Sequence, residues 1–166
     1  DGIVIEGIAA TKATTNFTIL SSSFDTNGAI GVLIGTTGGN TDIQKFTIIS
    51  TVADNNTGDG FDINLARFYS LLGCYATSNG GKGFDIDSVG AAIIGCVADS
   101  NTGDGFELGT GASGAILIGC TGSSNGVDFD IPTNTASNYA VIGNYITTGT
   151  PQIPHNLFTL GETAIY

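Results

Sequence analysis

Short runs of alternating apolar and polar residues, each closed by glycine or asparagine, recur along the chain. Four of them can be laid on one another: Gly58-Asp59-Gly60-Phe61-Asp62-Ile63, Gly81-Lys82-Gly83-Phe84-Asp85-Ile86, Gly103-Asp104-Gly105-Phe106-Glu107-Leu108 and Gly126-Val127-Asp128-Phe129-Asp130-Ile131. Their phenylalanines stand 23, 22 and 23 residues apart. The in-out-in alternation of Phe61-Asp62-Ile63 predicts a strand. A fixed period of this size predicts a solenoid, because each copy carries an apolar face that it can bury only against the next copy.

A second set of columns runs in phase with the first. Asn27, Asn56, Asn79, Asn101 and Asn125 each precede the next glycine-rich turn. Eight residues before them stand Ile19, Ile48, Leu71, Ile93 and Leu117; five before, Ser22, Thr51, Cys74, Cys96 and Cys120; three before, Phe24, Ala53, Ala76, Ala98 and Gly122. Uniform columns are what stacked parallel strands demand, since each side chain packs on its equivalents about 4.8 Å above and below. Three short strands and their bends fit a period of 22 to 24 residues. Asparagine accepts the left-handed backbone region and hydrogen-bonds its own copies, so this column predicts a structural ladder at a tight turn.

The pattern apolar-Thr-Ile, seven residues, then Asn-x-Gly-x-Gly-apolar-x-Ile resembles the right-handed parallel β-helix of pectate-lyase-like proteins. That group includes polysaccharide lyases, glycoside hydrolases, epimerases and phage tailspikes, and in such folds an asparagine ladder occupies one short turn. The resemblance covers Gly2 to about Ile146 and bears on fold far more than on activity. It implies an all-β, right-handed single-stranded parallel β-helix of about six coils of 22–29 residues. Residues 1–147 form the coils and 148–166 a C-terminal cap or linker. Asp1-Gly2-Ile3-Val4-Ile5 reads as one strand of a coil whose earlier strands are missing, and no methionine opens the chain, so a piece of a longer protein is expected.

Composition narrows the functions. With 26 Gly, 41% apolar residues and 11% charged ones, the chain suits a turn-rich β domain and not a disordered tract. The net charge is −11, and Lys12, Lys45, Arg67 and Lys82 are its fixed cations, which argues against nucleic-acid binding. No apolar run is long enough to span a membrane, so no membrane insertion is expected. A strongly acidic glycan would be repelled unless cations bridged it. Cys74, Cys96 and Cys120 share one column with no metal-binding spacing and read as small core residues with free thiols.

Two columns could carry function. Asp62, Asp85, Glu107 and Asp130 each lie between two inward residues and should point outward, with Asp59 and Asp104 in the preceding turns. Neighbouring carboxylates repel by roughly 3 kcal/mol at an effective dielectric of 20, and Lys82 offers relief. Three readings stay open: a solvated acidic stripe; a calcium site drawn from Asp59, Asp62, Asp85, Asp104 and Glu107; or catalytic carboxylates Asp62, Asp85, Glu107 and Asp130 for glycoside hydrolysis. No cofactor other than calcium is suggested. His155 is the single histidine, which leaves little for histidine-based triads or zinc. Sugar-stacking aromatics would come from Phe68, Tyr75, Tyr139 or Tyr145.

The second column is aliphatic. Leu20, Ile49, Leu72, Ile94, Ile118 and Ile142 each follow an inward residue and should face out, with Ala92, Ile116 and Ala140 widening the strip. Either a bend turns the column inward, or it is a lengthwise partner interface. The resemblance to tailspikes makes a homotrimer the expected assembly, and a virion tail or the cell surface the expected location. Functionally it implies a tailspike- or surface-filament module that contacts or degrades host polysaccharide. The alternatives are a secreted polysaccharide lyase, hydrolase or epimerase fragment, or a structural filament without ligand.

Overall fold

The computed structural model describes residues 1–6, 14–35, 43–131 and 139–146. Among these there is no helix, and the strands pair with their equivalents in neighbouring turns, all in parallel. The chain winds as a parallel β-helix with three faces. The inner column of the first face is Ile3, Val32, Phe61, Phe84, Phe106 and Phe129, in unbroken register. That of the second is Ile19, Ile48, Leu71, Ile93, Leu117 and Val141. Phe24, Ala53, Ala76, Ala98, Gly122 and Ile146 line the third. The first two faces form one sheet of 12 strands; the third is a separate sheet of 6.

The regular part comprises about four full turns, fewer than the six coils expected. Residues 7–13, 36–42 and 132–138, which link strands of the outer turns, and the whole of 147–166 lie outside the described residues. The proposed C-terminal cap or linker therefore falls outside them too. Two strands are also longer than expected: Phe61–Leu72 and Phe84–Ile94 run round the first corner without a break.

Each corner is a column of left-handed residues. The first is Asn16, Lys45, Phe68, Gly90 and Gly114; the second Ser21, Ser50, Gly73, Gly95, Gly119 and Gly143; the third Thr26, Asn55, Ser78, Ser100 and Ser124. The third column corrects one expectation. The left-handed residue is the one immediately before each ladder asparagine, which frees the asparagine side chain to turn inward. There the Nδ2 of Asn27, Asn56, Asn79 and Asn101 donates to the Oδ1 of the next asparagine at 2.8–2.9 Å. From Asn56 onward each Nδ2 also donates to a main-chain carbonyl of the turn before.

The core is built by the same translation. Phe61, Phe84, Phe106 and Phe129 stack face to face at 4.8–4.9 Å, and Phe17, Phe46 and Tyr69 form a second stack at 4.6–4.7 Å. Burying each such ring contributes about 2–3 kcal/mol. The glycine before each of the first three stacked phenylalanines is sterically required: a Cβ at Gly60 would lie 2.8 Å from the Gly83 carbonyl oxygen and 2.9 Å from the Asn79 amide. Cys74, Cys96 and Cys120 are buried free thiols, as expected.

Candidate functional site

On the outer side of the first face one column runs Val4, Leu33, Asp62, Asp85, Glu107, Asp130. Strand alternation puts these side chains opposite the buried phenylalanines, so the four carboxylates form one half-buried row at strand spacing. Lys82, in the turn before Asp85, relieves part of the repulsion. Its Nζ lies 2.8 Å from Asp85 Oδ2 and 2.7 Å from Glu107 Oε2, bridging two rungs. Burial works against the ammonium charge, yet the hydrogen bonds and charges of Asp85 and Glu107 outweigh it and hold Lys82 well above its ordinary value. Asp59 accepts the Lys82 backbone N–H at 2.7 Å and so fixes that turn.

Asp62 lies at one end of the row, outside the pair that Lys82 bridges. Burial, then the charges of Asp85 and Asp59, push its carboxyl up to about 6, against the opposing pull of Lys82 and the hydrogen bond from the Asn64 amide. Burial also raises Asp85, with Lys82 opposing, and raises Asp104, with Asp130 and Glu107 adding to it. The residues proposed for calcium are not drawn into one cage. Among the described residues the group whose oxygens approach within 4.8 Å of one another is Asp104, Glu107 and Asp130. Three hard carboxylate oxygens suit calcium chemically. Asp59, Asp62 and Asp85 lie outside that group.

Two outward residues that the sequence reading missed extend the row. Asn64 and Asp87 are partners across neighbouring rungs, two positions past Asp62 and Asp85. Asp87 accepts the Gly111 N–H at 2.5 Å. Their position, two residues after a column acid on the same strand face, was the available signal. Just beyond them the ladder slips: Leu65 and Ala66 oppose the single Ser88, a bulge that ends the face. Leu65 and Phe68 both take left-handed backbone conformations, at φ of 54° and 53°. At Phe68 this is the conformation that Asn16 and Lys45 take at the same corner of the earlier turns, whereas at Leu65 it belongs to the bulge. Phe68 stays 60% exposed, its ring lying against the Gly90 backbone, where a Cβ would come within 3.0 Å. The exposed Arg67 precedes it.

The other proposed sugar platforms separate from this face. Tyr75 and Tyr145 are exposed on the outer side of the third face. Tyr139 is half-buried, and its hydroxyl donates to the Ala112 carbonyl at 3.0 Å. The aliphatic column does face outward. Leu20, Ile49, Leu72, Ile94, Ile118 and Ile142 are in continuous register, Leu20 being 61% and Ile94 41% exposed. The left-handed bend comes one residue later, after the side chain has been directed out.

No family model and no curated protein matches the chain. Solved structures do. A periplasmic alginate epimerase, AlgG, superposes with a TM-score of 0.69 at 16% identity, over 81% of this chain and 34% of its own. The pectate lyase Pel9A superposes with a TM-score of 0.52 at 18% identity, over 87% of this chain and 42% of its own. The chain thus spans about a third of the length of the epimerase. At these identities the likeness establishes the parallel β-helix and no more.

Proposed function

We propose that this β-helix binds a hydroxyl-rich, uncharged polysaccharide along the outer side of its first face, as one part of a larger extracellular or surface protein. The observation that carries the reading is the conjunction of the acid row, Asn64 and Asp87 with the exposed Phe68 just beyond the bulge. Carboxylates and amides accept and donate to sugar hydroxyls, and an exposed ring packs on a sugar's apolar face. The neighbours support it in kind, an epimerase of alginate and a lyase of pectate both acting on polysaccharides. A neutral glycan suits a face whose charge is dominated by carboxylates; an acidic one would need a bridging cation, for which Asp104, Glu107 and Asp130 offer oxygens. The finer reading is a tailspike- or surface-filament-like module that presents this face to host glycans.

Affinity electrophoresis against neutral and acidic polysaccharides, with calcium or EDTA, tests this directly. Neutral glycans should retard the protein in EDTA. Phe68→Ala and Asp87→Asn should each weaken retention about tenfold, some 1.4 kcal/mol. Retention unchanged in both variants would refute the assignment of the face.

A catalytic reading is favoured by one observation, the Asp62 carboxyl held near 6 beside Asp85 on the next rung. Adjacent rungs place carboxyls near the roughly 5 Å separation of retaining glycosidases. Release of reducing ends at about pH 5.5, where such a carboxyl keeps its proton, abolished in Asp62→Asn with binding retained, would establish it.

A further inference from the structure

Among the described residues, the outer side of the second face carries no charge. Its two outward columns are Thr18, Thr47, Ser70, Ala92, Ile116, Ala140 and Leu20, Ile49, Leu72, Ile94, Ile118, Ile142. The uncharged surface continues round the second corner through Ser23, Val52, Tyr75, Val97, Thr121 and Tyr145. In a chain of net charge −11, columns of this length without a charge form a distinct surface. Charges appear at its margins, and they differ in sign. The exposed Lys45 and Arg67 border it on the side of the first corner, while Asp25, Asp54 and Asp99 border it on the third face.

We propose that this face docks a second copy of the chain, with the two solenoids parallel, their rungs in register and a two-fold axis along the solenoid direction. Three features select that occupant. Ridges repeating at strand spacing interdigitate with ridges of the same repeat, which a second copy supplies. Rotation by 180° about an axis parallel to the solenoid carries the cationic margin of one copy over the anionic margin of the other, so that Lys45 comes opposite the partner's Asp54. The antiparallel alternative would set cation against cation. Six rungs at about 4.8 Å and three outward columns about 7 Å apart give roughly 600 Å² per copy, about 1,200 Å² in all, the lower bound for specific interfaces. A closed ring of three would join the cationic margin of each copy to the anionic margin of the next, a heterologous contact, and the measured mass separates it from the two-fold pair.

Sedimentation equilibrium of the whole chain, from a few to some hundreds of micromolar protein, tests the proposal. The expected mass is that of a dimer, with a dissociation constant in the micromolar range. Ile94→Lys should yield monomers with an unchanged far-ultraviolet spectrum. Leu20→Lys, at a more exposed position, should do the same should Ile94→Lys fail to fold. Lys45→Asp should weaken association at least tenfold, and Lys45→Asp combined with Asp54→Lys should restore it. A monomeric wild type, a trimer, or association indifferent to Ile94→Lys and Leu20→Lys would overturn the proposal. Failure of the double charge swap to restore association would overturn the parallel arrangement.

Discussion

Asp62 ties the outer row to pH. Its carboxyl is raised from the ordinary 3.8 to about 6, chiefly by burial. Between those values the folded chain holds a proton that the unfolded chain releases, so stability is gained as pH falls and lost as it rises through about 6. The half-exposed setting reduces the effect to about 1 kcal/mol by solvent screening. Urea midpoints should therefore be higher at about pH 5 than at about pH 7.5, and Asp62→Asn should flatten the difference by raising the value at the higher pH. An unchanged pH dependence in the variant would place the proton elsewhere. Lys82 works in the opposite sense. Lys82→Met leaves Asp85 and Glu107 stacked without their shared cation and should lower stability near neutral pH by about 1–2 kcal/mol. Lowering the pH to about 4.5, toward the ordinary carboxyl range, should recover most of the loss. Millimolar calcium should do so if a divalent ion can take the place of the ammonium, and thermal melts in calcium and in EDTA read that directly.

At the scale of the element, the asparagine ladder explains why the turns hold one register. Asn79 accepts from the backbone and amide of Asn56 and donates to Ala53 and Asn101. Asn79→Ala would strand several buried groups at once and should cost about 3 kcal/mol in chemical denaturation. The ladder ends on a different residue. Asp128 stands where earlier turns have glycine, is 1% exposed, and accepts the Asn125 amide at 2.9 Å through Oδ1. Its side chain occupies the space that the next asparagine takes in the other turns, as the contacts of Gly60 and Gly83 show. Its Oδ2 is buried and has no hydrogen-bond partner. Asp128→Asn keeps the acceptor and discards the charge, so it should match or exceed wild-type stability. Asp128→Ala, which leaves the Asn125 amide without its acceptor, should lose about 2 kcal/mol. Equal losses in both variants would contradict an acceptor role.

As a whole, the molecule is a rod with differently coloured sides. One face offers carboxylates, amides and an exposed ring; the next offers aliphatic side chains with opposite charges at its two margins. Glycan contact along the acid row and self-association through the aliphatic columns would then use different sides, which meet at the first corner where Phe68 lies beside Lys45 and Arg67. Ile94→Lys should abolish association and leave glycan retention intact, whereas Asp87→Asn should do the reverse. Coupled losses, measured on the same preparations, would mean that the two surfaces are not independent.

The period of the sequence determined the fold almost by itself. In a solenoid each residue's chief contacts are its equivalents one turn away, so the Phe61, Ile93, Ala98 and Asn101 columns are legible as contacts in the sequence alone. The outward direction of Asp62 and its equivalents followed from strand alternation. What the period could not give were the features that break translation. The left-handed residue fell before the asparagine because the side chain, not the backbone, makes the ladder. Only packing showed Lys82 reaching two rungs, Asp128 closing the ladder, and Phe68 lying exposed over Gly90 beyond the bulge. Ile94 and its column face outward because the left-handed bend falls one residue later, at Gly95, and no hydrophobic pattern places that bend. These are matters of corner geometry and side-chain reach, and they decided where the chain offers a surface to bind.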